Sequence, residues 1–162
     1  MSQDCFQDHY PTDLSKCYGC GKLNEHGLQI KSYWDGAESV CHFLPRPYHT
    51  SIPGYVYGGL LASLIDCHGT GTASAIIYKA AKATKPDADV DTRTLTASLH
   101  VDYVKPTPLG VELEVRGKVK EHRGRKVVID EWISANGIVT VRGQVIAVQV
   151  PESMLKELLK RN

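Results

Sequence analysis

The sequence predicts an α+β fold in which one antiparallel β-sheet wraps a single long central α-helix. Three observations carry that prediction. The most apolar stretch, Val56 to Ala73, continues into a helical pattern reaching about Lys82. Strand-like segments lie on both sides of it, those after it with period-2 alternation, giving the order β-β-α-β-β-β-β. A helix that apolar needs cover, and the strands are the available cover.

Residues 1–27 contain polar residues, Pro11 and the cluster Cys17-Tyr-Gly-Cys-Gly, and read as an irregular or partly helical arm. Leu28–Tyr33 and Ala37–Leu44 read as two strands about the turn Trp34-Asp35-Gly36. A Pro/Gly-rich loop, Pro45 to Gly54, then delivers the chain to a helix from about Gly58 to Lys82, with a polar linker through Asp91. Leu95, Ala97, Leu99, Val101 and Tyr103 alternate with Thr96, Ser98, His100 and Asp102, the pattern of a strand with one buried face. Pro106 and Gly110 mark a turn before the alternating run Val111 to Val119, and His122-Arg-Gly-Arg marks the next. Asn136-Gly137 is a hairpin signal, because both central positions of a type I′ turn need positive φ. Ile138–Val150 is the last strand, Pro151 stops it, and Glu152 to Arg161 has the pattern of a short amphipathic tail helix.

Composition narrows the function. The 162 residues suit a single domain, 1–162, with its arm at 1–27 and its tail at 152–162. A net charge of +1 without long charged runs implies neither nucleic acid nor an anionic membrane as partner. Asp66 and His68 interrupt the longest apolar run, so no membrane span is expected. The N-terminus lacks the pattern of a signal peptide. Five irregularly spaced cysteines suit a reducing cytoplasm, which is the expected location.

Asp66 is the residue a mere core would not need. Burying an unsatisfied carboxylate costs several kcal/mol. On a helical wheel Leu60, Leu61, Leu64, Ile65, His68, Thr72, Ala75 and Ile76 form the anchoring stripe. Ala62, Ser63, Asp66, Gly69, Thr70, Ala73 and Ser74 form a small-residue face, where a second backbone or a ligand has room to approach. Gly58-Gly59 lies two turns upstream, where a starting helix presents free N–H groups. A carboxylate and an anion-stabilising helix start are the parts of a hydrolytic site.

Three segments carry a family resemblance. Cys17-Tyr-Gly-Cys-Gly-Lys-Leu-Asn-Glu-His-Gly-Leu is similar to a Cys-x-Gly-Cys-Gly-x-x-Asn-x-x-Gly-Leu opening. Pro53-Gly-Tyr-Val-Tyr-Gly-Gly-Leu-Leu-Ala-Ser-Leu-Ile-Asp resembles a Pro-Gly-x-x-His-Gly-Gly helix start. Leu95 to Gly110 resembles the third strand of the same proteins. These proteins are the PaaI-like acyl-CoA thioesterases of the hotdog fold. The resemblance implies a hydrolase for an acyl-CoA thioester, without a cofactor. It assigns the oxyanion donor to the Gly58 backbone N–H, beside Gly59, and the general base or nucleophile to Asp66. Thr96 matches a hydroxyl that orients water, and His49 lies near a polar oxyanion donor of some members. Tyr57 replaces the family's His before the glycine pair, and its hydroxyl donates a hydrogen bond but does not titrate near neutral pH. Ser63 completes the substrate-binding set on the face of Asp66. The family's cleft forms between two protomers, so a homodimer or a dimer of dimers is expected.

Other chemistries fit less well. Cys17-x-x-Cys20 suggests zinc, but no second Cys pair stands at finger spacing, so no metal is expected. It has no βαβ context for a redox motif. His68 lies about 200° from Asp66 on the wheel, which suits a packed core histidine and not a dyad. Cys67 reads as a small buried hydrophobe. No histidine has a place between Ser63 and Asp66, so no Ser-His-Asp triad forms. Arg123 and Arg125, with Lys126, read as a solvated turn, with contact to coenzyme A phosphates as the lesser alternative. The alternatives to hydrolysis are a non-catalytic acyl-CoA or acyl-carrier binding protein and, less well supported, a hotdog hydratase or dehydratase, from which Tyr57 removes the obvious histidine.

Overall fold

A computed structural model describes residues 4–87 and 91–160. Strands β1 (Tyr33–Asp35) and β2 (Glu38–Phe43) precede helix α1 (Gly58–Thr84). Strands β3 (Thr94–Tyr103), β4 (Leu113–Arg123), β5 (Lys126–Ala135) and β6 (Ile138–Gln149) follow, and helix α2 (Glu152–Leu159) is the last described element. All six strands form one sheet in the order β1-β2-β4-β5-β6-β3, and every pairing is antiparallel. The long α1 lies against one face of it, the hotdog arrangement.

The core sits between α1 and that face. Leu60, Leu61, Leu64 and Ile65 are buried against Leu113, Val115, Ile129, Ile133, Val141 and Val145. By length and mean hydropathy, 1.2, α1 qualifies as a membrane span, which the sequence reading excluded. Burial of 67% of that apolar window inside the fold accounts for the hydropathy without a membrane.

Three glycines set how close helix and sheet come. A Cβ on Gly69 would stand 2.5 Å from Glu131 Oε2 and 2.8 Å from Val145 Cβ. One on Gly117 of β4 would lie 3.3 Å from His68 Nε2, and one on Gly143 of β6 would lie 2.6 Å from Ile65. The small-residue face expected from the wheel is therefore divided. Gly69, Ala73 and Ser74 are buried within the chain itself, and only Ala62, Ser63, Asp66 and Thr70 remain half-exposed. Ala75 and Ile76, assigned to the anchoring stripe, are also only half-buried.

Other sequence expectations change in detail. Leu28–Ser32 is not a strand, because Gln29 takes φ 51° and the segment bonds to the arm instead. Leu28 N–H donates to Tyr18 O at 2.8 Å and Ile30 N–H to Gly19 O at 3.0 Å. The first hairpin consequently turns at Gly36-Ala37, with Trp34 and Asp35 in β1. The arm contains two short 3-10 turns, Phe6–His9 and Thr12–Leu14. The Asn136-Gly137 hairpin has the required positive φ at both positions, 51° and 76°. The polar linker lies partly outside the described residues, which resume at Asp91.

The main departure is in β3. Its register shifts between Thr96 and Ser98, so Ala97 is a bulge. Thr96 pairs with buried Ala147, whereas Leu99, Val101 and Tyr103 pair with Val145, Gly143 and Val141. Directly paired residues share a face of the sheet. Thr96 therefore joins Leu99, Val101 and Tyr103 on the helix side, and Leu95 faces away. The expected single buried face does not form: Leu95, Leu99 and Tyr103 are 53%, 41% and 54% exposed.

Two titratable groups are buried under the sheet. His68 Nδ1 hydrogen-bonds Ser32 Oγ at 2.8 Å and Nε2 hydrogen-bonds Ser39 Oγ at 2.9 Å. Ser39 is in turn 2.6 Å from Thr72 Oγ1, and Gln7 Oε1 accepts from Ser32 N–H at 2.9 Å. Burial lowers the His68 pKa from 6.5 to about 3, so it stays neutral. Glu131 is 2% exposed, and neither carboxyl oxygen has a hydrogen-bond partner among the described residues. Burial, and secondarily the charge of Asp66, hold its carboxyl well above the usual 4.5, so it is a neutral acid.

Two predictions follow from this packing. Gly69→Ala should destabilise the protein by about 1–3 kcal/mol through overpacking, outweighing the roughly 1 kcal/mol of helix propensity gained. Urea midpoints decide its sign. Above pH 4.5 the native state holds a proton on Glu131 that the unfolded chain releases, so this group's contribution to stability falls as pH rises. His68 acts in the opposite sense: between about pH 3 and 6.5 the unfolded chain binds the proton, so its contribution rises with pH. Glu131→Gln should remove the first slope alone. The stability difference between variant and wild type should therefore grow as pH rises above 4.5, and a constant difference would contradict a neutral Glu131.

Candidate active site

Asp66 lies about two turns into α1, on the strip that the sheet leaves half-exposed. Thr96 Oγ1 donates to Asp66 Oδ1 at 2.5 Å. The bulge at Ala97 makes this contact possible, because it turns Thr96 to the helix side. With Oδ1 held by Thr96, Oδ2 is the carboxylate oxygen left to accept a proton. Ser63, one turn earlier on the same strip, donates its hydroxyl proton to Gly59 O at 2.8 Å, which leaves its oxygen lone pairs outward. Thr70, one turn later, is similarly bound to Asp66 O at 2.9 Å. The strip is small and polar, with the carboxylate at its centre.

The helix start supplies donors. Leu60 N–H and Leu61 N–H both turn back to Tyr57 O, at 3.1 and 3.4 Å. The Gly58 and Gly59 N–H groups precede any intrahelical acceptor and carry the positive end of the helix dipole. Tyr57 is the extended residue before the helix; its N–H donates to His49 O at 2.9 Å, and its ring lies over Gly59. Tyr103, which the sequence reading placed only in a strand face, donates its hydroxyl to Gly58 O at 2.8 Å. This bond fixes the first peptide of α1 to β3.

His49 belongs to the same corner. Its Nδ1 accepts from Arg46 N–H at 3.0 Å, so the neutral ring carries its proton on Nε2 and remains a donor there. Partial burial, then the Arg46 charge, lower its pKa and favour that neutral form. The structure thus gathers His49, Tyr57, Gly58 and Gly59 at the helix start, and Ser63, Asp66 and Thr96 one to two turns further along. It does not bring these two groups together. Eight residues of helix separate Gly58 from Asp66, about 12 Å at 1.5 Å per residue.

Two features were not found from sequence. Glu131 lies beneath Gly69, one turn from Asp66. The alternation Val127, Ile129, Glu131, Ile133, Ala135 in β5 carried its signal, since it places a carboxylate among inward positions. Cys67 meets Cys17 and Cys20, with all three Sγ atoms within 4.8 Å of one another. Sequence spacing gave no sign of that third thiol. Arg123 and Arg125 are exposed on the β4–β5 turn and make no ion pair among the described residues.

Comparison with known proteins places the chain in a family. Residues 53–131, which hold α1, β3, β4 and part of β5, match the family model of the thioesterase superfamily. The acyl-coenzyme A thioesterase THEM4 of Xenopus laevis is 33% identical over 103 residues, 62% of this chain, and the chain spans only 40% of that protein's length. The PaaI protein of Escherichia coli, from the phenylacetic acid degradation operon, shares the fold at 14% identity and a TM-score of 0.60, over 76% of this chain and 81% of its own. A thioesterase superfamily protein from Shewanella loihica has a crystal structure that superposes with a TM-score of 0.62. It is 50% identical, over 78% of this chain and 96% of its own. With that degree of identity over nearly the whole of a relative, the chain belongs to the thioesterase superfamily.

Proposed function

We propose that the chain is an acyl-CoA thioesterase, hydrolysing the thioester to a free acid and coenzyme A, with its active site shared between two copies. The carrying observation is the half-exposed Asp66 carboxylate held by Thr96. Asp66 Oδ2 takes a proton from water as the water oxygen attacks the thioester carbonyl. The oxyanion that forms is met by the Gly58 N–H, with Gly59 and His49 Nε2–H beside it. Collapse expels the coenzyme A thiolate, which takes up the proton. Tyr57 and Ser63 contact the substrate at the two ends of this path.

The 12 Å between Gly58 and Asp66 is too long for both to act on one carbonyl, which asks for donors within about 3 Å of the oxyanion. Two copies resolve this. β3 is an edge of the sheet, ten residues long, with Leu95, Leu99 and Tyr103 exposed along it. Such an edge is a template for a second strand, and a two-fold pairing is self-complementary. Pairing through β3 lays the helix start of one protomer beside the Asp66 strip of the other. A further pairing of dimers is compatible with this arrangement.

Asp66→Asn should lower turnover at least about 10²-fold while leaving coenzyme A binding and the thermal midpoint nearly unchanged. Retained specific activity with a lowered midpoint would mean that Asp66 is structural. One turnover in 18O-labelled water separates the two roles of Asp66: a general base puts the label in the released acid, whereas a nucleophile can first deliver an unlabelled carboxylate oxygen. Gly58→Val should abolish turnover in folded protein. Sedimentation at micromolar concentration should give a dimer or tetramer; a monomer with full activity would end the shared site. If tight acyl-CoA binding without release of thiol were seen for the wild type, the binding-only reading, which Tyr57 at the usual histidine position favours, would replace catalysis.

A further inference from the structure

A second cluster of reactive side chains lies on the flank of α1 that faces the arm. The segment Cys17-Tyr-Gly-Cys-Gly forms a tight loop in which Gly21 N–H donates to Cys17 O at 2.8 Å. Bonds from Leu28 N–H to Tyr18 O and from Ile30 N–H to Gly19 O hold the loop in place. Cys67, fifty residues on in sequence, projects from α1 into this loop, and Cys17 Sγ and Cys67 Sγ are 3.9 Å apart. Gly19 admits it: a Cβ there would stand 2.1 Å from Cys67 Sγ.

We propose that Cys17, Cys20 and Cys67 form a trithiolate site for one thiophilic cation, Zn2+ or Cu+. Two thiolates on one zinc ion at about 2.3 Å lie about 3.8–4.0 Å apart, which is the Cys17–Cys67 separation. A disulfide requires about 2.05 Å and so requires movement of the loop or the helix. Three sulfur ligands and no oxygen select soft or borderline ions over magnesium or calcium. Cys20 and Cys67 are buried, whereas Cys17 is only partly so and gives the ion a way in. Binding releases to water one proton for each thiol that is protonated, and nothing is oxidised.

In the sequence, Cys17-x-x-Cys20 lacks a second Cys pair at finger spacing. Folding supplies a third ligand from the helix, and a water molecule fills a fourth position where Zn2+ is bound. The ion would tie the arm to α1 at the residue after Asp66. This inference does not depend on the thioesterase reading, since its readouts are binding and stability.

The test uses the full chain, reduced and stripped with a chelator, then given Co2+, Zn2+ or Cu+ without oxygen. One ion per chain should survive desalting, and Co2+ should give near-ultraviolet thiolate charge-transfer absorption. Zn2+ should raise the thermal midpoint of the wild type. Cys17→Ser and Cys67→Ser should each weaken binding by at least roughly 10²-fold, more than loss of an outer-shell contact typically does. Cys41→Ser should leave it unchanged. The rise in midpoint should vanish in Cys17→Ser, whose position is the least buried of the three, and this covers the case in which Cys67→Ser fails to fold. Failure to retain any ion would overturn the proposal. So would equal retention by Cys17→Ser, or a disulfide among the three thiols in protein that takes up no metal.

Discussion

The close approach of α1 to the sheet is the constraint on which the remaining architecture rests. Gly117 and Gly143 on the sheet and Gly69 on the helix are the points where no side chain fits between the two layers. With that separation set, the rotation of α1 is set as well, because His68 must reach Ser39 and Ile65 must lie over Gly143. Asp66, about 100° from each neighbour, is then turned to the strip that the chain does not cover. A Cβ at Gly69 or Gly143 would push the layers apart, and one at Gly117 would collide with Ser39 Oγ at 2.7 Å and crowd His68 Nε2 at 3.3 Å.

The three flanks of α1 consequently have different work. Ile65 and Gly69 face the sheet, Cys67 and Gly71 face the arm, and Ala62, Ser63, Asp66 and Thr70 face outward. Consecutive residues thus serve separate ends: Asp66 belongs to the open strip, Cys67 to the arm and His68 to the buried hydroxyl network. Helical geometry alone places them so, and it is why neither His68 nor Cys67 is a partner for Asp66 despite adjacency in sequence. The neutral state of Glu131 fits the same layout, since an ionised acid behind Gly69 would oppose the charge of Asp66.

The helix, the meander and the Asn136-Gly137 turn were legible in sequence because each depends on local periodicity or on φ preference. Asp66 was legible because a carboxylate in an apolar helix needs a reason. What escaped depends on contacts distant in sequence. The Ala97 bulge is invisible to a period-2 pattern, and a strict alternation would have put Thr96 on the face away from the helix, where it could not reach Asp66. The Leu28–Ser32 segment has strand-like residues, but its backbone groups are taken by the Cys17–Cys20 loop, a partner that strand propensity does not consider. Cys67 meets that loop only because fifty residues of chain return to it.

The bulge and the edge position of β3 are two aspects of one arrangement. A strand inside the sheet has its register set from both sides, and an extra residue would disrupt two ladders. At the edge it disturbs only the pairing with β6, leaving the other side of β3 free. The residue that shifts Thr96 towards Asp66 is therefore tolerated where the chain also offers an unpaired strand. That strand carries Tyr103, which is bonded to the first peptide of α1, and Thr96, which is bonded to the carboxylate. β3 thus spans the 12 Å between the helix start and Asp66, touching both but unable to close the distance. In the proposed dimer a second copy paired along the same strand would approach both at once, so the edge that orders the carboxylate is also the edge at which the proposed site would be completed.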